Sequence, residues 1–192
     1  MKYEITDIAH PVYKNLHRIR ALVDIGDDVK AGDLGGYVEN AYNLSQRGTC
    51  WVYNDAMMRD NSQMRDKSMM FDKSTMFDYS QMFDYSQMFD NSRLHDYSTM
   101  FDHSRMYDNS MMRDDSEMRD YSVMRDYSQM FDNSLMRDYS MMRDYSEMRD
   151  YSVMRDNSRM RDRAVLSGDK VLSGDAVLSG DMVLGVNTKC GE

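Results

Sequence analysis

The chain has few cysteines, one proline and no long apolar run. Its two cysteines, Cys50 and Cys190, exclude a framework of disulfides. The segment from Met1 to His10 has no apolar run of signal-peptide length, and no stretch of the chain is apolar enough to span a membrane. These absences predict a protein of a reducing, cytoplasmic compartment without a membrane partner.

An excess of positive charge is also missing. The chain has 24 Lys and Arg against 33 Asp and Glu, for a net charge of −9. Even the arginine-rich part, from Asn109 to Arg163, has ten Arg against ten Asp and two Glu, for a net charge of −2. No basic patch results, so direct nucleic-acid binding is not expected. An acidic rod that imitates nucleic acid stays open, provided that arginine does not cover the carboxylates.

The signatures of a catalytic or cofactor site are absent from the sequence as well. No Gly-rich phosphate loop, nucleophile or metal-ligand spacing accompanies the histidines. His95 and His103 replace outward residues of the repeat described below, and His10 and His17 lie before it. We therefore expect no enzyme activity, no metal and no cofactor.

What the chain does have is a strict period of six residues. Every sixth residue from Met58 to Met160 is methionine, apart from Leu94. Two places before each stands a small residue, Ala56 and then serine from Ser62 to Ser158, and two places after each stands aspartate, from Asp60 to Asp162. A constant period over about a hundred residues is the mark of a solenoid, in which each repeat stacks on the last.

The repeat reads x-Ser-x-Met-x-Asp and fits an extended strand. Alternate side chains of a strand point to opposite faces, so serine and methionine share one face. We expect that face to be the interior, with Cys50 as a buried thiol in the small-residue column. A helix fits poorly, because a period of six spreads the methionines around a 3.6-residue turn. Disorder requires neither a large apolar residue in every six nor a constant phase.

The end of the repeat indicates where the chain turns. The methionine column continues as Leu166, Leu172, Leu178 and Leu184, and the aspartate column continues as Gly168, Gly174 and Gly180. Glycine, then Asp and Asn, best tolerates positive φ, so we expect an aspartate at each corner. Stacked carboxylates repel by about 1 kcal/mol per pair even in water. Backbone N–H groups, neighbouring arginines or calcium could offset this, although the Gly-rich nonapeptide of known calcium solenoids is absent.

Several segments resemble a known family. Gly174-Asp175-Ala176-Val177-Leu178-Ser179 is similar to the hexapeptide repeats of left-handed β-helix proteins, in which three hexapeptides form one triangular coil. The N-terminal module and first repeat of phage and prophage hexapeptide-repeat proteins are similar to Arg18-Ile19-Arg20-Ala21-Leu22, Lys30 to Val38, Asn43-Leu44-Ser45-Gln46 and Trp51 to Ala56. The chain departs from the family pattern by using Met for Val or Ile, Ser for Ala and Asp for Gly.

The resemblance implies an all-β fold, a left-handed triangular β-helix of about seven to eight coils of 18 residues, from the 23 repeats between Val52 and Leu184. At about 4.8 Å per strand the rod is roughly 35–40 Å long. Residues 1–48 are expected to form an N-terminal capping module, because an open solenoid end exposes unpaired strand edges. The repeat then occupies residues 49–184, and residues 185–192 form a short tail.

A flattened, two-sided coil with two hexapeptides per turn is the rival arrangement, because it places the same residues of each repeat in the interior. A coil of three hexapeptides stacks Phe77 on His95 and Tyr121 on Tyr139, whereas a coil of two stacks Phe77 on Phe89. The columns alone do not decide between them, and three sides are expected from the resemblance.

Aromatic residues occupy two outward columns. The position after each methionine holds all six phenylalanines and one tyrosine, namely Phe71, Phe77, Phe83, Phe89, Phe101, Tyr107 and Phe131. From Arg113 to Arg161 it is otherwise arginine. The column after the aspartates holds Tyr79, Tyr85, Tyr97, Tyr121, Tyr127, Tyr139, Tyr145 and Tyr151.

Such residues are enriched at interfaces, and a soluble monomer seldom exposes so much aromatic surface. We therefore expect an outward, adhesive interface made by Phe71, Phe77, Phe83, Phe89, Phe101 and Tyr107. Its expected centre is Phe77, Phe83, Phe89 and Phe101. The alternative is that stacked rings only stabilise neighbouring strands.

The sequence thus predicts a non-catalytic structural or protein-binding rod, phage- or prophage-related, whose partner is a second copy of itself or a host protein. The first alternative is a phage-type inhibitor or acidic decoy that occupies a host protein. The second is a degenerate acyltransferase, since many left-handed β-helix proteins are acyltransferases with a histidine at a trimer interface. Those enzymes often carry an inserted loop and a C-terminal helix, and the sequence indicates neither.

Overall fold

The computed structural model describes residues 1–185, and over those residues it contains β-strands and turns but no helix. Three strands open the chain: β1 (Tyr3–Ala9), β2 (His17–Ala21) and β3 (Leu34–Val38). β2 pairs antiparallel with both β1 and β3. Most of the predicted tail, residues 186–192, lies outside the described residues.

From Trp51 onward, each repeat contributes one strand of two residues, ending on the column predicted to face inward. These strands are β4 (Trp51–Val52), β5 (Met57–Met58), β6 (Gln63–Met64), β7 (Met69–Met70), β8 (Thr75–Met76), β9 (Gln81–Met82), β10 (Gln87–Met88), β11 (Arg93–Leu94), β12 (Thr99–Met100), β13 (Arg105–Met106), β14 (Met111–Met112), β15 (Glu117–Met118), β16 (Val123–Met124), β17 (Gln129–Met130), β18 (Leu135–Met136), β19 (Met141–Met142), β20 (Glu147–Met148), β21 (Val153–Met154), β22 (Arg159–Met160), β23 (Val165–Leu166), β24 (Val171–Leu172), β25 (Val177–Leu178) and β26 (Val183–Leu184).

From β4 onward, strands three apart in the chain pair in parallel, and together with the first three strands they form three sheets. Sheet 1 has the order β1-β2-β3-β5-β8-β11-β14-β17-β20-β23-β26, sheet 2 runs from β4 to β25, and sheet 3 runs from β6 to β24. Met88 pairs with Met106, so one turn of the coil takes three repeats. The eight strands of sheet 2 correspond to about eight turns. The fold is therefore a three-sided β-solenoid, as predicted, and the two-sided coil is wrong.

The interior is a continuous column of side chains. Every residue of the methionine column from Met58 to Met160 is fully buried, and the serines from Ser62 to Ser158 are buried beside them. The same core extends into the N-terminal module through Tyr3, Ile19 and Val38. The inward prediction for methionine and serine is confirmed, and the first three strands share this core, whereas their capping role stays a prediction.

The aspartates form the corners, as predicted. All of them from Asp60 to Asp162 have φ between 55° and 62°. Most also accept a hydrogen bond from the backbone of the next coil. For example, the Asp126 N–H donates to Asp108 Oδ2 at 3.2 Å. These N–H groups offset the repulsion between stacked carboxylates, because each presents a positive partial charge to a carboxylate oxygen.

The buried serine column leads to a stability prediction. The Ser98 Oγ donates to the His95 carbonyl at 2.6 Å, whereas the Ser122 Oγ has no hydrogen-bond partner in the described part of the chain. Alanine occupies the same column at Ala56 and Ala164, where it is fully buried. We expect Ser122→Ala to leave the free energy of unfolding unchanged or raise it by up to about 1 kcal/mol, since an unpaired hydroxyl is costly to bury.

Ser98→Ala is the matched control for urea unfolding, and we expect it to lose about 0.5–1.5 kcal/mol with its hydrogen bond. Equal losses in the two variants would mean that the Ser122 hydroxyl has a partner after all.

Candidate interaction surface

The three-sided coil sorts the outward residues onto three corners. Consecutive repeats lie on different sheets, and residues 18 apart stack. Residues six apart therefore lie on different corners. Corner 1 carries Asp60, Asp78, Asp96, Asp114, Asp132 and Asp150, corner 2 carries Asp66, Asp84, Asp102, Asp120, Asp138 and Asp156, and corner 3 carries Asp72, Asp90, Asp108, Asp126, Asp144 and Asp162, each with its two flanking residues.

This geometry corrects the predicted interface. Phe77 lies at corner 1, Phe83 and Phe101 lie at corner 2, and Phe89 lies at corner 3 with Phe71 and Tyr107. The expected centre of four phenylalanines is therefore not one surface. All six predicted residues do lie outside the core, where they are half-buried. The prediction failed because each repeat carries the chain on to the next corner.

Corner 3 carries one long ladder of rings and, in later coils, a stacked pair formed by Tyr127 and Tyr145 at 5.1 Å. Tyr53, Phe71, Phe89 and Tyr107 stack with centroid separations of 4.5, 4.8 and 4.8 Å. The Arg125 guanidinium lies 5.6 Å from the Tyr107 centroid and continues the column. Stacking covers one or both faces of each ring, which is why the rings are half-buried. This ladder fits the alternative of strand stabilisation by cross-strand pairs.

Corners 1 and 2 both have aromatic rings in their two outward columns over the same coils. At corner 1 the column after the aspartates stacks only Tyr79 on Tyr97, at 5.1 Å, beside Phe77 and His95.

Corner 2 differs because its corresponding ladder is longer, with four rings. On one side of the aspartates, Phe83 and Phe101 stack at 5.2 Å. On the other side stands a second ladder, with centroid separations of 4.8, 4.8 and 5.1 Å, formed by Tyr85, His103, Tyr121 and Tyr139.

The tyrosines that follow the corner aspartates are exposed at all three corners, for example Tyr97 at corner 1 and Tyr145 at corner 3 at 60% and 62%. At corner 2, Tyr85, Tyr121 and Tyr139 are 46%, 49% and 63% exposed, whereas Phe131 at corner 1 is only 8% exposed.

Three cations flank the aromatic rings of corner 2. Lys67 lies 4.7 Å from the Tyr85 centroid, Arg65 lies 5.9 Å from that of Phe83, and Arg119 lies 5.5 Å from that of Phe101. The corner thus has an aromatic centre and a charged edge.

The two histidines of the repeat stand on different corners. His103 belongs to the tyrosine ladder of corner 2, and His95 stacks on Phe77 at corner 1 with a centroid separation of 4.7 Å. The His95 Nδ1 lies 2.7 Å from Asp96 Oδ2. One ligand atom from each of Asp78, His95 and Asp96 lies within 4.8 Å of the others. Sequence spacing missed this group, because Asp78 belongs to the preceding coil.

A small cleft lies where the N-terminal module meets the outer face of sheet 1. Its volume is about 280 Å³, and it is lined by Tyr13, Leu16, Met57, Arg59, Thr75, Phe77 and Arg93. Arg59 also stacks over Phe77 at 4.6 Å from the ring centroid. Sequence reasoning did not anticipate this cleft, because it depends on the packing of the N-terminal module.

A buried lysine of the N-terminal module lies beside a buried thiol at the start of the repeat. The Lys2 Nζ lies 3.2 Å from Cys50 Sγ and donates to the Cys50 carbonyl at 2.9 Å. Burial lowers the pKa of Lys2 and raises the pKa of the Cys50 thiol. Cys50 is free and fully buried, as expected, and a thiol with a raised pKa is a poor nucleophile. Cys190 lies outside the described residues.

Tyr3 provides a prediction on alkaline stability. Burial, together with the neighbouring Cys50, raises the pKa of Tyr3 to about 12, and its hydroxyl donates to the Leu44 carbonyl at 2.7 Å. The ordinary value is about 10, so this stabilising contribution is complete below pH about 10 and disappears as the pH rises through about 12. Urea unfolding between those pH values should show a loss of up to about 2–3 kcal/mol in the wild type.

Tyr3→Phe removes the titrating group, and it should be less stable at neutral pH but show a flatter profile above pH about 10. Parallel profiles for the two proteins would show that another group causes the alkaline loss.

No protein-family model matches the chain, and no curated protein matches it. Within the described residues there is no helix long and apolar enough to cross a membrane.

Proposed function

We propose that the protein is a non-catalytic rod that binds another protein through corner 2, in the phage or prophage setting that the family resemblance implies. The observation that carries the proposal is the pair of aromatic ladders on either side of Asp84 and Asp102. They comprise Phe83, Phe101, Tyr85, His103, Tyr121 and Tyr139.

Stabilisation of neighbouring strands accounts for only part of this surface. A cross-strand pair contributes about 0.2–1 kcal/mol, and the half-buried phenylalanine ladders fit that role. The tyrosine ladder, by contrast, leaves Tyr121 and Tyr139 exposed to solvent, at 49% and 63%. Tyrosine combines an apolar ring with a polar hydroxyl and is enriched at binding hot spots.

The surroundings of the rings also fit a protein partner. Interfaces typically have an aromatic centre with few charges and a polar rim that water reaches. At corner 2 the rings are flanked by Lys67, Arg65 and Arg119 as well as by the corner aspartates, so charges of both signs surround them. Burial of one phenylalanine contributes about 1.5–3 kcal/mol, so a few rings suffice for association. The first partner to test is a second copy, because a two-fold contact needs only one self-complementary patch.

The test replaces rings with residues that the repeat already uses in the same columns. The corner-2 variant carries Phe83→Arg, Phe101→Arg, Tyr85→Asn and Tyr121→Asn. The matched control makes the same chemical changes at corner 3, with Phe71→Arg, Phe89→Arg, Tyr127→Asn and Tyr145→Asn. Both keep the core and the corner aspartates, so both should fold.

Light scattering over a concentration series measures self-association, and a quantitative pull-down from bacterial lysate measures binding of a host protein. We expect the wild type to dimerise, or to retain one stoichiometric partner, and the corner-2 variant to weaken that contact at least about tenfold more than the control does. The proposal is contradicted if the wild type stays monomeric in light scattering and the corner-2 variant retains every lysate protein that the corner-3 control retains.

The acidic decoy is the second candidate, and one observation favours it. No lysine or arginine lies within 4.0 Å of the Asp72, Asp90 or Asp108 carboxylates in the described part of the chain. A decoy that uses this column should lose binding when all three are changed to Asn, a residue that Asn54 shows to fit the same corner at φ 54°. Its binding should also weaken steeply with salt, whereas an aromatic interface should not.

A further inference from the structure

We propose that Asp78, His95 and Asp96, at corner 1, bind one divalent transition-metal ion of the zinc class. Each residue presents one ligand atom, and the three atoms lie within 4.8 Å of one another. The His95 Nδ1 and Asp96 Oδ2 are already 2.7 Å apart, and the Asp78 carboxylate belongs to the adjacent coil. One ion at a normal bond length of about 2.0–2.2 Å can reach all three atoms after small side-chain rotations.

The charges of corner 1 show why a cation is favoured at this level of the rod. In the flanking coils an arginine precedes the aspartate and contacts it, with Arg59 3.6 Å from Asp60 and Arg113 3.7 Å from Asp114. Between these coils, Phe77 and His95 occupy the arginine positions. No lysine or arginine of the described chain lies within 4.0 Å of the Asp78 or Asp96 carboxylates.

The aromatic ladder holds the imidazole in place. The His95 ring lies parallel to Phe77, with an interplanar angle of 5°, and its side chain is only 16% exposed. Asp96 Oδ2 also accepts a hydrogen bond from the Asp114 N–H at 3.4 Å, which helps to orient the carboxylate. Ligands that are oriented by such neighbours lose less freedom when a metal binds.

The ligand set indicates the class of metal. One imidazole nitrogen with two carboxylate oxygens suits zinc and related transition metals, whereas calcium takes oxygen ligands only. Three protein ligands leave positions for water, so the site is one for reversible binding rather than a closed structural centre.

The test uses tag-free protein in a Cys190→Ser background, so that neither a histidine tag nor that thiol contributes. Zn²⁺ is titrated by calorimetry, and Co²⁺ by its visible absorption. We expect one equivalent of either metal in the wild type. His95→Phe and Asp78→Asn should each weaken binding about 10–100-fold or more.

Both variants use residues that the fold already accepts. Phenylalanine fills the same column at Phe77 and Phe131, and Asn54 adopts the corner conformation. Two controls, His103→Tyr and Asp90→Asn, change a histidine and a corner aspartate outside the site and should leave binding intact. The proposal is overturned by an absence of saturable binding, by His95→Phe binding Zn²⁺ as the wild type does, or by Asp90→Asn losing as much affinity as Asp78→Asn.

Discussion

Replacing Met112 with alanine should lower the free energy of unfolding by about 2–5 kcal/mol. The side chain is fully buried, between Leu94 and Met130 in the neighbouring coils of sheet 1. Removing the side chain leaves a void in a core to which each strand contributes one large side chain. The loss of stability is smaller if the flexible neighbouring methionine fills part of the void. Urea unfolding followed by circular dichroism measures the change.

Met112→Leu is the control, because leucine already occupies this column at Leu94 and Leu166, both fully buried. A volume-conserving change of this kind should cost less than about 1.5 kcal/mol. If alanine and leucine at position 112 were equally well tolerated, the methionine column would not be a packed core.

The second large effect is expected at the corners. Asp108 has φ 59° and accepts the Asp126 N–H at 3.2 Å. Asp108→Val places a β-branched residue in the left-handed region, at about 1–2 kcal/mol, and also removes the hydrogen-bond acceptor. We expect a total loss of about 2–4 kcal/mol in the free energy of unfolding, measured in the same urea experiment.

Asp108→Gly separates the two contributions. Glycine occupies the equivalent corner at Gly168, Gly174 and Gly180 with φ between 66° and 69°, so it removes the hydrogen bond without adding strain. We expect it to change stability by no more than about 1 kcal/mol. If valine and glycine were equally costly, the carboxylate would matter at this corner and the backbone conformation would not.

Much of the fold could be predicted from local chemistry. A period of six with Ser and Met two apart places both on one face of a strand, and the replacement of Asp by Gly at Gly168 identifies the corner. The inward face and the corner can both be inferred without knowing which repeats stack on each other. The number of sides depends on that stacking, and the residue columns are compatible with two or three repeats per turn. The resemblance to hexapeptide-repeat proteins, rather than the columns, pointed to three.

The surface could be predicted less well, because it depends on contacts across coils. A two-sided coil would have aligned Phe77 with Phe89, whereas the three-sided coil aligns Phe77 with His95 and separates the predicted centre among three corners. The number of repeats per turn also brings together the cluster of Asp78, His95 and Asp96 and the pair of ladders at corner 2. Sequence reasoning also missed the contact of Lys2 with Cys50, because the two residues are joined only by the folding of the N-terminal module.

The stacking of every third repeat is the claim from which the corners, the interaction surface and the metal site all follow. Disulfide trapping tests it most directly, in a background of Cys50→Ala and Cys190→Ser. Tyr121 and Tyr139 stack with ring centroids 5.1 Å apart, and paired strands about 4.8 Å apart are within reach of a disulfide. Under mild oxidation, Tyr121→Cys with Tyr139→Cys should close an intramolecular bond, detected as the loss of two hydrogens in the intact mass. Tyr127→Cys with Tyr139→Cys, which are two repeats apart, should stay reduced, and closure of that pair instead of the first would contradict the three-sided coil.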